Sequence, residues 1–108
     1  MNYTTIHNLS LSTSGFTLVA NAKECSGTEL DVDDFKTVQE CADRCYGTSS
    51  MFIYGTNDFG ANKCKKKYHW WGDIQCPCYC ETAATKRGEC TIVHHSGYKL
   101  YRFNAVGE

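Results

Sequence analysis

Apolar and polar positions alternate along this chain with two different periods, and each period marks a different kind of element. Thr37-Val-Gln-Glu-Cys-Ala-Asp-Arg-Cys45 places Val38, Cys41, Ala42 and Cys45 at i, i+3, i+4 and i+7, the spacing of one helical face. Thr37 followed by Glu40 is a capping box that starts the helix. Arg44 in the last turn complements the dipole, and Gly47 is the stop signal. Both thiols therefore face the same neighbour, which the pattern predicts to be a sheet. Phe16-Thr-Leu-Val-Ala20 is β-branched and apolar and predicts a strand leading towards Cys25. Glu29-Leu-Asp-Val-Asp33 alternates apolar with acidic residues, as a short half-exposed strand does.

Met51-Phe-Ile-Tyr54 is a short apolar run of high β propensity and predicts a central strand. Gly55 to Gly60 supplies the Gly, Asn and Asp of a hairpin loop, after which Asn62 to Trp71 predicts a returning strand with Cys64 near its start. Gly72 to Gly88, with Cys76-Pro-Cys-Tyr-Cys80 inside it, is expected to be irregular. Glu89 to His94 and Tyr98 to Phe103 are strand-like and frame a His95-Ser-Gly97 turn, with Tyr98, Leu100 and Arg102 opposite Lys99, Tyr101 and Phe103. One helix among five or six strands gives an α+β fold class: a small disulfide-rich domain over residues 15–108. The Ser/Thr-rich residues 1–14 precede it as an extended polar arm.

Composition narrows the setting. Eight cysteines in 108 residues form a disulfide framework, as in secreted domains too small to rely on a core alone. A formal charge of −1 excludes the basic character of a nucleic-acid binder, and no apolar run approaches the roughly 18 residues of a membrane span. Met1-Asn-Tyr-Thr-Thr5 lacks the basic and apolar regions of a signal peptide, so Met1 reads as an addition to a mature secreted chain. Asn2-Tyr-Thr4 and Asn8-Leu-Ser10 are glycosylation sequons, making Asn2 and Asn8 candidate glycan acceptors.

Few constellations suggest chemistry. The cluster Cys76, Cys78 and Cys80 with His69, His94 and His95 has zinc-ligand residue types, but C-x-C-x-C is not the usual C-x2-C spacing and oxidised thiols bind no metal. No metal or cofactor is expected. No nucleophile signature or phosphate-cradling glycine loop is present, and Asp33-Asp34 stands where acids serve a helix dipole. The chain is expected not to be an enzyme. Lys63, Lys65, Lys66 and Lys67 precede Tyr68, His69, Trp70 and Trp71, a basic and aromatic stretch suited to an anionic glycan or an acidic protein face. If strand alternation turns Tyr68 and Trp70 inward, His69 and Trp71 are exposed, and Lys65, Lys66, Lys67, His69 and Trp71 are the candidate ligand-binding residues. Glu24, Glu29, Asp31, Asp33 and Asp34 form an acidic counterpart through which copies could associate head to tail.

The strand ending at Cys25, the helix Cys41-x3-Cys45, the aromatic strand Phe52-Ile-Tyr54, Cys64, Cys90 and the closing Tyr98-x-Leu-Tyr-x-Phe103 together resemble the PAN/apple-like domain family. The resemblance implies a twisted antiparallel sheet cradling one helix, with Cys41 bonded to Cys64 and Cys25 to Cys90. The family's cysteine just before the aromatic strand is missing, since Ser49, Ser50 and Met51 stand there. Cys45 is therefore expected to bond Cys80 or Cys78, leaving two thiols for a small ring or an intermolecular bridge. The resemblance also implies a recognition module for extracellular protein or carbohydrate. A self-assembling structural protein of a matrix, filament or secretion is the first alternative, and a secreted inhibitor or toxin the second.

Overall fold

The structure is a computed structural model that describes residues 15–67 and 70–105. The arm, its sequons at Asn2 and Asn8, and both Tyr68 and His69 lie outside the described residues. The elements in chain order are β1 (Phe16–Cys25), β2 (Leu30–Phe35), α1 (Val38–Cys45), β3 (Met51–Gly55), β4 (Lys65–Lys66), β5 (Ile74–Cys80) and β6 (Ile92–Phe103). They form an antiparallel sheet of order β1-β6-β3-β5-β2, with β4 added to β5. Among the described residues no helix is long and apolar enough to cross a membrane.

The helix begins where its residues demand. Thr37 Oγ1 accepts the Glu40 amide at 3.2 Å, and the Glu40 carboxylate accepts the Thr37 amide at 3.0 Å, so the capping box is closed in both directions. Gly47, at φ +85°, ends the helix in the left-handed conformation that a residue without Cβ adopts readily.

β3 is buried along its whole length and sorts the core. Phe52 and Tyr54 point to the helix side with Val32, Cys41, Ala42, Cys45, Cys78 and Cys80. Met51 and Ile53 point to the other side with Cys25, Tyr98 and Leu100, where Tyr79, Ala84 and Cys90 pack over them. Phe52 is the hub of the helix side: Tyr101 stacks on it at 5.1 Å, Phe103 tilts against it at 5.1 Å, and Phe16 meets it edge-on at 5.5 Å.

Three expected elements differ. The stretch 72–88 is not irregular throughout, because β5 runs through its cysteines and is the strand that joins β3 to β2. The expected returning strand over 62–71 shrinks to β4, which pairs with β5 and not with β3. Cys64, just ahead of it, is fixed by its amide donating to Asn57 Oδ1 at 2.8 Å. His95-Ser-Gly97 is not a turn between two strands but a bulge inside one long strand. From Asn21 to Lys23 β1 advances two residues, while β6 advances five, from Lys99 back to His94. Gly97 in that bulge accepts the Thr56 amide at 2.8 Å, which ties it to the end of β3.

Four disulfides join Cys25 to Cys90, Cys41 to Cys78, Cys45 to Cys80 and Cys64 to Cys76, leaving no free thiol. The family-implied Cys41–Cys64 bond is therefore replaced, as is the expected pair of spare loop thiols. The reason is spacing. Four residues of helix advance about 6 Å and two residues of strand about 6.6 Å. The i, i+4 thiols of α1 thus match i, i+2 thiols on β5, and two bridges close side by side.

Candidate functional site

The basic, aromatic stretch sits at the β4–β5 turn. Lys65 and Lys66 are exposed on β4 and make no ion pair among the described residues. Trp70 and Trp71 follow, their rings edge-to-face at 5.3 Å and 79% and 63% exposed. Strand alternation placed Trp70 inward, but β4 ends at Lys66, so the alternation no longer applies and both indoles are outside. Ile74 at the start of β5 is also exposed and extends the apolar surface. An exposed tryptophan pair of this kind marks a contact surface.

Lys67 has a different task from its neighbours. Its ammonium lies 2.7 Å from Asp33 Oδ1 and 3.8 Å from Asp34 Oδ2. Asp33 holds φ +91° in the bulge of β2, with its amide donating to Asp31 Oδ1 at 3.0 Å and its carboxylate accepting the Asp34 amide at 2.8 Å. The Lys67 contact, the Asp34 amide and the cation's charge hold the Asp33 carboxyl below the ordinary carboxylate range. Lys67 therefore fastens the tryptophan turn to β2, and Lys36 does the same through Asp73 at 2.9 Å. The predicted set is divided: Lys65, Lys66 and Trp71 are exposed at this turn, as is Trp70, whereas Lys67 is engaged with Asp33 and Asp34.

A second basic surface was not foreseen. At the other end of α1, Tyr46, Ser49, Ser50, Lys86, Arg87 and Arg102 line a cleft of about 560 Å³. Its three cations form no ion pair among the described residues. Arg102 lies with its stem directly over Gly88, where a Cβ would collide with Cγ and Cδ. Tyr46 meets Phe103 edge-on at 5.5 Å, which connects the cleft to the Phe52 cluster. In the sequence these cations are scattered between 86 and 102, so only the fold brings them together.

The expected acidic surface is likewise split. Asp33 and Asp34 serve Lys67, while Glu24 and Glu29 converge on Glu81, which is fully buried. Glu81 Oε2 accepts the Cys25 amide at 2.7 Å. Burial pushes its carboxyl up to about 8, opposed by that amide and reinforced by the carboxyls of Glu29 and Glu24. His94 and His95 form no dyad: His95 Nδ1 accepts the Gly97 amide at 3.0 Å, and His94 is exposed on β6.

No protein-family model, curated protein or solved structure matches this chain.

Proposed function

We propose that this chain is a secreted, disulfide-stabilised recognition module that binds extracellular protein or carbohydrate without catalysis, through Trp70, Trp71, Lys65 and Lys66. The observation that carries this reading is the pair of exposed neighbouring indoles that follow two exposed lysines without an ion pair among the described residues. Trp70 and Trp71 are among the exposed large hydrophobic side chains and outside the buried core, whereas aromatic anchors supply much of the binding energy of interfaces and stack on sugar rings. Four disulfides in a small domain are compatible with an extracellular setting. A C-x3-C helix seated on an antiparallel sheet, together with the Cys25–Cys90 bridge, supports a PAN/apple-like assignment, from which the Cys41–Cys78 bond is a departure.

The test is a screen of the whole chain against glycan and extracellular-protein arrays, alongside the Trp70→Ala/Trp71→Ala variant. Selective binding that the variant loses by about thirtyfold or more supports the reading, the size expected when an aromatic hot spot is removed. Binding that survives the substitution sinks it, as does sedimentation of the wild-type chain only as large assemblies.

A second reading has its own observation. Lys86, Arg87 and Arg102, without an ion pair among the described residues, favour an acidic group, such as a sulfated or carboxylated sugar, at that end of the molecule.

A further inference from the structure

Glu81 opens the segment that covers the second face of the sheet, one residue beyond the Cys45–Cys80 bridge. Its side chain is 0% exposed, yet only one of its two oxygens is satisfied. Oε1 accepts from no N–H or hydroxyl donor among the described residues, and the Glu29 carboxyl stands within hydrogen-bonding reach of the Glu81 carboxyl, a contact that needs a proton shared between them. A buried carboxylate oxygen without a partner is rare and calls for a physical account. Glu24, partly buried at the end of β1, and Glu29, exposed between β1 and β2, supply the surroundings of the Glu81 carboxylate. One oxygen from each of the three carboxylates lies within 4.8 Å of the others. No lysine or arginine forms an ion pair with them among the described residues.

We propose that Glu24, Glu29 and Glu81 form a binding site for a hard divalent cation, calcium, with Glu81 Oε1 as its innermost ligand. All three donors are oxygens, which selects against zinc and copper, whose sites favour imidazole and thiolate. Calcium holds its oxygens at about 2.3–2.6 Å, so ligands around one ion lie up to about 5 Å apart, as these do. It also accepts water on an open side, which the exposed Glu29 leaves available, whereas magnesium requires a tighter octahedron. An ion here joins the end of β1 beside the Cys25–Cys90 bridge, the β1–β2 connection and the end of β5. It braces the second face without touching the tryptophan turn, and it stands or falls independently of the ligand proposed there.

The experiment is titration of the chelator-treated chain with calcium chloride, followed by calorimetry and by thermal melting, with magnesium and zinc chloride alongside. Calcium is expected to bind with a dissociation constant below about 1 mM, the range of extracellular calcium modules. At saturating ion the melting temperature should rise by about 4 °C or more. Glu29→Gln, at an exposed position, should fold normally and weaken calcium binding at least about tenfold. Glu81→Gln should abolish it, and Glu24→Gln serves in its place if that buried substitution prevents folding. No heat and no melting shift at about 10 mM calcium overturns the proposal, and Glu81 then keeps a proton shared with Glu29. An equal calcium response in the wild type and in Glu29→Gln overturns it too, because the ion is then bound elsewhere.

Discussion

Pro77 lies inside β5, between two neighbouring strands, where a residue without an amide hydrogen removes a rung from the ladder. Its two sides show how the chain accommodates it. On the β2 side Pro77 pairs with Asp34, and the register shifts between Asp31 and Asp34, so a bulge adjoins the proline's pair. On the β3 side Gly55 gives the ring room: a Cβ there would stand 2.6 Å from Pro77 Cδ and 2.9 Å from Cγ. Gly55→Ala must displace the ring or the strand and should cost about 1–3 kcal/mol, as overpacking does, measured by denaturant unfolding. The neighbouring Tyr54 is buried, and its hydroxyl donates to the Phe35 carbonyl. Burial, with Glu40 nearby, pushes its phenol up to about 12. A raised phenol pKa means that the folded chain keeps a proton the unfolded chain gives up from pH about 10, so this contribution is complete below that pH and is lost between about 10 and 12. Tyr54→Phe should therefore lower stability by about 1 kcal/mol at neutral pH and show a shallower alkaline decline than the wild type. Pro77 is also why β5 was hidden in the sequence, since a proline among cysteines signals a loop unless the residues opposite it are known.

At the scale of elements, the seam between α1 and β5 sets the order of disulfide importance. Both sulfur pairs that join α1 to β5 involve cysteines with no exposed surface, whereas Cys64 and Cys76 are only partly buried. Their sequence separations are 37 and 35 residues, against 65 for Cys25–Cys90 and 12 for Cys64–Cys76. On the chain-entropy account, removing the shortest loop costs about 3 kcal/mol and the longest about 4 kcal/mol. Cys41→Ala/Cys78→Ala adds a cavity in the core to a similar entropic loss, so it should be the most damaging pair and Cys64→Ala/Cys76→Ala the mildest, as ranked by unfolding midpoints. The helix itself was fully legible, because a capping box, a 3.6-residue period and a glycine stop are all local. The period-2 spacing of Cys76, Cys78 and Cys80 was equally visible, but its meaning depended on a helix carrying thiols the matching distance apart. The long β6 was concealed for a similar reason: Gly97 suggests a turn, and only the pairing with β1 makes it a bulge.

Across the whole molecule a formal charge of −1 conceals separate clusters of like charge. Lys65 and Lys66 stand with the tryptophans near the start of α1, which Lys36 and Asp73 join to that turn. Lys86, Arg87 and Arg102 stand around the cleft beyond its end, and Glu24, Glu29 and Glu81 converge as a separate acidic group. The first surface was legible from a run of adjacent residues; the cleft was not, because its cations come from separate segments. Two basic surfaces separated by the length of a helix can be tested one at a time. Lys65→Glu/Lys66→Glu should leave the melting temperature nearly unchanged, since exposed substitutions act within about 0.5 kcal/mol. The same variant should bind an acidic ligand at least about tenfold more weakly, mainly through slower association, and lose much of the wild-type salt sensitivity. Arg87→Glu/Arg102→Glu should keep both affinity and salt response if recognition resides with the tryptophans. Association rates measured by surface plasmon resonance at two ionic strengths separate the outcomes. A variant of the cleft that loses binding, while the lysine variant retains it, moves the recognition surface to Arg102 and its neighbours.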